Sequence, residues 1–293
     1  MAQAAMIIHT RTRLCDFPST FAVCPSAFGS GDVQKVRKQV LAATRSIDSM
    51  GQNEVRQMVY TCGDLVIAGM VSFLKNLSSN NDEDEKFFYD EKGRGIYAFV
   101  GFVLKAKNQS LPFINKKILW ESFKGYMEPI WERTVLDTQL SNFKEVDFQI
   151  TDATEPTSGK SVSDMTLYIK GTDDTSIFLY WLSQALKGKS VSFCSNIIDF
   201  KVVKDTPFNI ITTTANIIER MKQETMSTNS TQTQSTSSVL RNSTTPNIKQ
   251  KKTPVTSPTP HVPGTKYSEK SNKIWMLILG VVLVLIVILF LSR

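Results

Sequence analysis

The sequence contains very little histidine and cysteine. Its 293 residues include two histidines, His9 and His261, near opposite ends of the chain, and four cysteines. A histidine-based catalytic site or metal centre is therefore not expected. The chain also lacks a Cys-x-x-Cys pair, a Gly-x-Ser-x-Gly motif and a Gly-x-x-x-x-Gly-Lys-Ser/Thr phosphate loop. We predict no enzyme activity and no cofactor. The alternative is an enzyme with an acidic or thiol site, which would lose its activity when Cys62 or Cys194 is changed to Ser.

The first thirty-one residues lack the apolar core of a secretory signal. Arg11 and Arg13 are followed by Asp16 and Pro18 rather than by an apolar run. We therefore expect the folded part to face the cytosol, where disulfides are rare. The cysteines are too few and too scattered for a disulfide framework, so we predict four free thiols: Cys15, Cys24, Cys62 and Cys194.

One long apolar run is present, at residues 274–291, and it carries no charged residue. A helix of that length covers roughly 27 Å, at about 1.5 Å per residue, which is close to the thickness of a bilayer core. A buried helix of a soluble domain normally has a polar face, and this run has none. We predict a transmembrane tail anchor formed by Ile274, Trp275, Leu277, Leu279, Val281, Leu283, Leu285, Val287, Leu289 and Leu291.

Basic residues flank this run on both sides. Lys266, Lys270 and Lys273 precede it, and Arg293 follows it. Because basic residues concentrate on the cytosolic side of a membrane span, we expect the N-terminus to be cytosolic. The very hydrophobic span favours the endoplasmic reticulum or a connected membrane, and the basic flanks make the mitochondrial outer membrane the second choice.

The net charge of +7 is unevenly distributed, because the basic excess lies after residue 220. The preceding part is close to neutral, so nucleic-acid binding by the folded part is not expected. Residues 225–273 are rich in Ser, Thr, Asn, Gln and Pro and are predicted to be a disordered basic linker. Phosphorylation of its Ser/Thr-Pro steps would reverse the charge beside the bilayer. The candidate phosphorylation sites are Thr245, Thr253, Ser257 and Thr259.

The remaining chain predicts an α+β protein with a mainly helical N-terminal half. Residues 1–30 are expected to be an irregular arm, residues 31–144 a helical subdomain and residues 145–224 a small α+β subdomain. Apolar residues at helical spacing predict helices at residues 33–47, 55–73, 96–107 and 118–131. In the second half, we predict strands around residues 146–150, 165–169 and 191–202, and helices at 176–186 and 209–222.

Two short segments resemble motifs of the Bcl-2 family. Residues 59–64, with Val59, Gly63 and Asp64, resemble the Leu-x-x-x-Gly-Asp core of a BH3 helix. Residues 93–99, which begin with Gly93 and Arg94, look like the opening of the BH1 region with one inserted residue. The resemblance implies a helical bundle in which Val59 and Asp64 are groove or BH3 residues and Arg94 pairs with an acidic residue of a partner.

These features predict a tail-anchored, cytosol-facing, non-enzymatic interaction or scaffold module. One alternative is a viral or other pathogen protein that acts at host membranes as a structural or replication-site component. The other is a Bcl-2-like apoptosis regulator. The expected partners are the lipid bilayer, through the C-terminal helix, and a protein that the sequence does not identify; no small-molecule substrate is evident.

Overall fold

A computed structural model describes residues 2–17, 28–51, 53–78, 83–105, 112–134, 143–146, 149–150, 153–171 and 173–235. The strands are β1 (Ala2–Thr10), β2 (Arg56–Cys62), β3 (Leu65–Phe73), β4 (Tyr97–Lys105), β5 (Pro112–Phe113), β6 (Lys144–Val146), β7 (Gln149–Ile150), β8 (Lys160–Val162), β9 (Met165–Ile169), β10 (Ser192–Cys194) and β11 (Ile210–Thr213). The helices are α1 (Ser30–Ala43), α2 (Leu74–Leu77), α3 (Lys116–Met127), α4 (Asp174–Leu186), α5 (Phe200–Lys204) and α6 (Ala215–Ser235).

Nine of these strands form one mixed sheet in the order β6-β1-β4-β3-β2-β10-β11-β9-β8. The strands from β6 to β10 in this order pair antiparallel, whereas β10, β11 and β9 pair parallel. Strand β8 then pairs antiparallel with β9 at the far edge, and β5 and β7 form a separate two-stranded ladder. The sheet therefore contains strands from both predicted subdomains, residues 31–144 and 145–224. The predicted α+β class is confirmed.

Helices cover both faces of the sheet, so the core has two halves. On one face, Leu119 of α3 and Phe178 of α4 pack against alternate strand residues such as Val100. On the other, Val36 of α1 and Ile218 of α6 belong to the second cluster of buried side chains. The central strands are consequently buried on both sides, as expected for a sheet between two helical layers.

The predicted helices at residues 55–73 and 96–107 are wrong, and so is the mainly helical N-terminal half. Strands β2, β3 and β4 occupy these positions. A strand that is buried on both faces is a continuous apolar run, and such a run cannot be distinguished from a buried helix by periodicity. Gly63, at φ +60°, forms the tight turn between β2 and β3 that a helix could not contain.

Four other expectations are corrected in part. Residues 2–10 of the predicted irregular arm form strand β1, which pairs with β4 and β6. The predicted strand at residues 197–202 is replaced by a loop and α5, and the predicted helix at 209–222 begins instead with β11. Helix α6 continues to Ser235, so residues 225–235 of the predicted linker are helical.

Other expectations agree with the structure. Helices α1 and α3 overlap the predicted helices at residues 33–47 and 118–131, and α4 and strands β9 and β10 lie close to their predicted positions. None of the described helices is both long enough and apolar enough to cross a bilayer. The predicted anchor at residues 274–291 lies outside the described residues.

Strands β3 and β4 leave no room for a side chain where two glycines face one another. Gly69 pairs with Gly101 in the register of the ladder. A Cβ atom on Gly69 would lie 2.6 Å from a carbonyl oxygen of β4 and 2.7 Å from the Gly101 Cα atom. The absence of both side chains also makes room for the ring of Phe99. Glycine is therefore required at this point in the centre of the sheet.

Candidate functional site at the carboxyl edge of the sheet

Polar side chains gather at one edge of the sheet. The parallel strands β9, β11 and β10 all end there, and β2, which is antiparallel to β10, begins there. Open α/β sheets commonly bind ligands outside the carboxyl ends of their parallel strands. We define the carboxyl-edge cluster as five residues at this edge: Glu54, Lys170, Asp174, Asn196 and Thr212.

Glu54 connects two members of the cluster. Its Oε1 atom accepts a hydrogen bond from the Lys170 ammonium, and its Oε2 atom accepts one from Asn196 Nδ2 at 3.2 Å. Partial burial opposes ionisation of Glu54, but these bonds and one from the Gly51 amide outweigh it and lower the pKa of the carboxyl. Glu54 is therefore ionised at neutral pH and compensates the charge of Lys170.

Asn196 is buried, with 2% of its surface exposed, and its backbone is left-handed at φ +57°. Asparagine tolerates this conformation better than most residues. Its backbone N–H donates to Thr212 Oγ1 at 2.8 Å, and its side-chain Nδ2 donates to Glu54 and to the Val55 carbonyl oxygen. Its Oδ1 atom is buried and has no hydrogen-bond partner among the described residues.

Asp174 is the first residue of α4 and is partly buried. Burial raises the pKa of its carboxyl, although hydrogen bonds from the Thr212 hydroxyl and the Gly171 amide and the nearby charge of Lys170 act in the opposite direction. The charge of Glu54 adds to the increase. The Oδ1 atom of Asp174, like that of Asn196, is buried without a partner in the described structure.

The polar layer continues into the adjoining strands. Gln57 and Ser195 exchange two hydrogen bonds, from the Gln57 amide to Ser195 Oγ and from the Ser195 amide to the Gln57 carbonyl oxygen, each at 2.8 Å. The side-chain oxygens Gln57 Oε1 and Thr213 Oγ1 are also buried without partners among the described residues. Buried polar atoms are normally paired, so such a concentration at one edge calls for an occupant or ordered water.

A cleft of about 500 Å³ adjoins the cluster. Its wall includes Lys170, the first turn of α4 with Asp173 and Ser176, and Tyr168 of β9, and the loop at residues 154–158 closes the other side. Asp173 precedes α4 but makes no side-chain capping bond, so the first N–H groups of this helix are not satisfied by a cap. Lys170 belongs to both the cleft and the cluster.

No protein-family model, curated protein or solved structure matches this chain. The chemistry of the site is therefore inferred from its own residues. Among the residues that the structure describes, no three His, Cys, Asp or Glu side chains are grouped as metal ligands. The cluster can instead accept hydrogen bonds, because its unpartnered atoms include a carboxylate oxygen and an amide oxygen.

The structure does not bring the predicted Bcl-2-like residues to this edge. Val59 is buried within β2, and Gly63 and Asp64 form the turn at the opposite end of that strand. A BH3 motif presents its residues on one face of a helix, so a hairpin contradicts this interpretation. The Bcl-2-like alternative, which implies a helical bundle, is not proposed further.

Gly93 and Arg94 lie in the turn before β4 and do not begin a helix. Gly93 has φ +72°, which favours glycine. Arg94 Nε donates to Asp90 Oδ2 at 2.7 Å, and Arg11 Nη1 lies 3.4 Å from the same oxygen. The acidic partner predicted for Arg94 on another protein is thus replaced by Asp90 in its own loop.

The histidine and two of the cysteines that the structure describes are buried. Burial and the nearby charge of Arg37 lower the pKa of His9 to about 4. The His9 ring stacks on that of Phe17, with the ring centroids 4.7 Å apart. Burial raises the pKa of Cys62 and raises that of Cys194 to about 12. All three groups are uncharged at neutral pH and are poor nucleophiles.

Several predicted residues lie outside the described residues. They are the anchor at residues 274–291, the basic flank of Lys266, Lys270, Lys273 and Arg293, and the candidate phosphorylation sites Thr245, Thr253, Ser257 and Thr259. The carboxyl-edge cluster, in contrast, was not predicted. Its members are separated by up to 158 positions, from Glu54 to Thr212, and the one local pattern among them, Asp173-Asp174 before a helix, indicates only a capping region.

Proposed function

We propose that this is a tail-anchored membrane protein whose folded unit faces the cytosol and acts as a non-enzymatic interaction or scaffold module. The observation that carries the proposal is the uncharged apolar run at residues 274–291 with lysines before it. The endoplasmic reticulum or a connected membrane is the preferred location, and the mitochondrial outer membrane the second.

The burial of two thiols and one histidine in the folded unit supports a non-enzymatic role. Cys62 and Cys194 are buried with raised pKa values, and His9 is buried with a lowered one, so none is poised for nucleophilic or acid–base chemistry near pH 7. Apolar side chains are nevertheless exposed: Ile169 at the end of β9 is 57% exposed, and Met226 on α6 is 70% exposed. Single exposed apolar residues are usual on protein surfaces, so these two do not locate a partner site.

The topology is tested with an N-terminally tagged full chain in cells. Because β1 begins at Ala2 and pairs with β6 and β4, the tag is joined through a flexible glycine–serine spacer. We expect the tag to be membrane-bound and accessible to added protease, and to be released by deletion of residues 274–293. A variant with Leu283 and Leu285 changed to Arg should be released as well, because each central charge opposes insertion by about 2.5–3.5 kcal/mol.

A tag protected from protease, or one that stays on the membrane after the deletion, would refute the topology. The interaction role is tested separately by replacing residues 274–291 with an unrelated apolar helix. Cross-linked partners should persist in this chimera, because the folded unit selects them. Their complete loss would show that the anchor sequence selects the partner instead.

A further inference from the structure

A second cavity lies where β3 ends, at the same edge of the sheet as the carboxyl-edge cluster. Its volume is about 320 Å³, which is at the lower end of the range of small-molecule sites. Backbone hydrogen bonds hold the surrounding segments together: the Leu74 amide donates to the Ile96 carbonyl oxygen at 2.9 Å, and the Ile96 amide donates to that of Phe88 at 2.8 Å. We call this cavity the aromatic pocket; its lining includes Asn53, Phe73, Lys75, Phe88, Tyr89 and Gly95.

The apolar part of this lining is aromatic. Phe73, Phe88 and Tyr89 all line the pocket, and Tyr89 is 41% exposed. A Cβ atom on Gly95 would lie 3.3 Å from the Phe73 ring, so glycine at this position leaves that ring uncovered. Aromatic rings attract one another in offset-stacked or edge-to-face arrangements, beyond the effect of the area that they bury. A planar aromatic ring is therefore the group that this lining complements best.

The polar part of the lining is positively charged. Among the described residues that line the pocket, Lys75 is charged and none is acidic. The side chains of Lys75 and Asn53 are exposed and have no hydrogen-bond partner in the described structure. Lys116 Nζ donates to Asn76 Oδ1 at 2.8 Å rather than to a carboxylate, so it adds a second positive charge beside the pocket. The carboxylate of Glu54, which follows Asn53, is already paired within the carboxyl-edge cluster.

The loop before β4 also favours an anion. The Asp90 carboxylate lies between two guanidinium groups, with Arg94 Nε at 2.7 Å and Arg11 Nη1 at 3.4 Å, which leaves one positive charge. Residues 91–92 carry opposite charges and cancel. Arg11 Nη2 donates to the carbonyl oxygen of Gly95 at 3.0 Å and so lies directly behind the lining. The charges around the pocket thus complement a negative group.

We propose that the aromatic pocket binds a small aromatic carboxylate, with its ring against Phe73 and Tyr89 and its carboxylate directed to Lys75 and Asn53. The ammonium group and the side-chain amide together supply donors for both carboxylate oxygens. This inference goes beyond the role as an interaction module, and it does not depend on the membrane topology, because binding is measured on the purified full chain.

The probe is para-fluorobenzoate, and its binding is followed by the broadening of its fluorine NMR signal. The full chain is kept in a mild detergent, and the detergent alone provides the baseline for partitioning into micelles. The control ligands are para-fluorobenzamide, which has the same ring without the charge, and acetate, which has the charge without the ring. We expect saturable binding of para-fluorobenzoate, at best in about the millimolar range, weaker binding of the amide and no displacement by equimolar acetate.

Lys75→Gln should lower the affinity for para-fluorobenzoate by about two- to five-fold, as expected for an exposed ion pair, and should not change that for the amide. Higher salt should reproduce this selective loss, because it screens the ion pair. Lys189→Gln is the matched control: this exposed lysine precedes β10, at the opposite end of the sheet, and its replacement should affect neither ligand.

Tyr89 tests the aromatic wall. Tyr89→Ala should weaken the binding of both para-fluorobenzoate and the amide, whereas Tyr89→Phe should retain it, because the ring rather than the hydroxyl forms the contact. The proposal is overturned if the natural chain broadens the signal no more than detergent alone, or if acetate displaces the probe at equal concentration. It is equally overturned if Lys75→Gln behaves like Lys189→Gln, or if Tyr89→Ala binds both ligands like the natural chain.

Discussion

Asp84 should be essential to the stability of the aromatic face of the core. This carboxylate is 2% exposed and accepts hydrogen bonds from Trp120 Nε1 at 2.8 Å and from Lys124 Nζ at 3.0 Å. Ser78 Oγ donates a third bond at 2.5 Å. Trp120 in turn stacks on Phe123 with the ring centroids 5.4 Å apart. One carboxylate therefore anchors α3 to the segment that follows α2.

We predict that Asp84→Asn lowers the free energy of unfolding by about 2–4 kcal/mol at pH 7. Asparagine keeps the shape of the side chain, but it presents an NH₂ group to donors and leaves Lys124 without its counter-ion. A loss of this size corresponds to a decrease of roughly 4–16 °C in the unfolding midpoint for a folded unit of this length. The measurement is urea unfolding of the full chain in mild detergent, followed by tryptophan fluorescence.

The pH dependence of this difference provides an independent check. Burial opposes ionisation of Asp84, but the bonds from Ser78, Lys124 and Trp120 outweigh it and lower the pKa of the carboxyl below its ordinary value of 3.8. The stabilisation is therefore present above about pH 4 and is lost as the pH falls through the folded-state pKa. The difference between Asp84→Asn and the natural chain should shrink in this acidic range.

Glu85→Gln is the matched control, because Glu85 is exposed and adjacent to Asp84. It should change the free energy of unfolding by no more than about 0.5 kcal/mol. Equal stability of Asp84→Asn and the natural chain at pH 7 would refute the reasoning. A difference that stays constant down to pH 2 would show that the effect is not due to the ionised carboxylate.

Three further predictions concern the core. Gly69→Ala should destabilise the sheet by several kcal/mol in urea unfolding, because its Cβ would overlap Gly101. Gly125 lies in a helix with open space around it, so Gly125→Ala should increase the free energy of unfolding by about 0.5–1 kcal/mol. Similar effects of Gly69→Ala and Gly125→Ala would contradict the close packing of β3 against β4. Arg56→Lys should lower the denaturation midpoint, because one ammonium cannot reach the three carbonyl oxygens that Arg56 binds. Cys194, whose pKa is raised to about 12, should be alkylated only as fast as the chain unfolds, as judged by mass spectrometry at pH 8; rapid alkylation of the folded chain would refute its burial.

The sequence predicts correctly those elements that have one exposed face, or whose length is typical of only one type of secondary structure. Strand β9 alternates between polar and apolar residues, and α4 is an apolar run too long for a typical strand, so both lie where they were expected. Strands β2, β3 and β4 lack this alternation of polar and apolar residues, because helices cover both faces of the sheet and apolar side chains are buried on each. The turn at Gly63 and Asp64 is the local pattern that could have identified the hairpin.

The candidate site could not be predicted for a different reason. Glu54 precedes β2, Lys170 follows β9, and Asn196 follows β10, so the three come together only because these strands end at the same edge. Neither their spacing nor their residue types form a recognisable motif. Only the strand order, which depends on pairings between distant segments, makes neighbours of them.

Strand β1 imposes an order on the biosynthesis of this protein. Ala4 pairs with Leu104, and on its other side with Lys144, so β1 leaves the ribosome a hundred or more residues before its partners. At about 5–20 residues per second, β1 waits roughly 5–20 s before β4 is even synthesised. During this interval its apolar residues Met6, Ile7 and Ile8 are a potential site for chaperone binding or for mispairing with another nascent chain. Completion of the sheet is thus tied to translation speed, and slow codons before β4 would prolong the exposure.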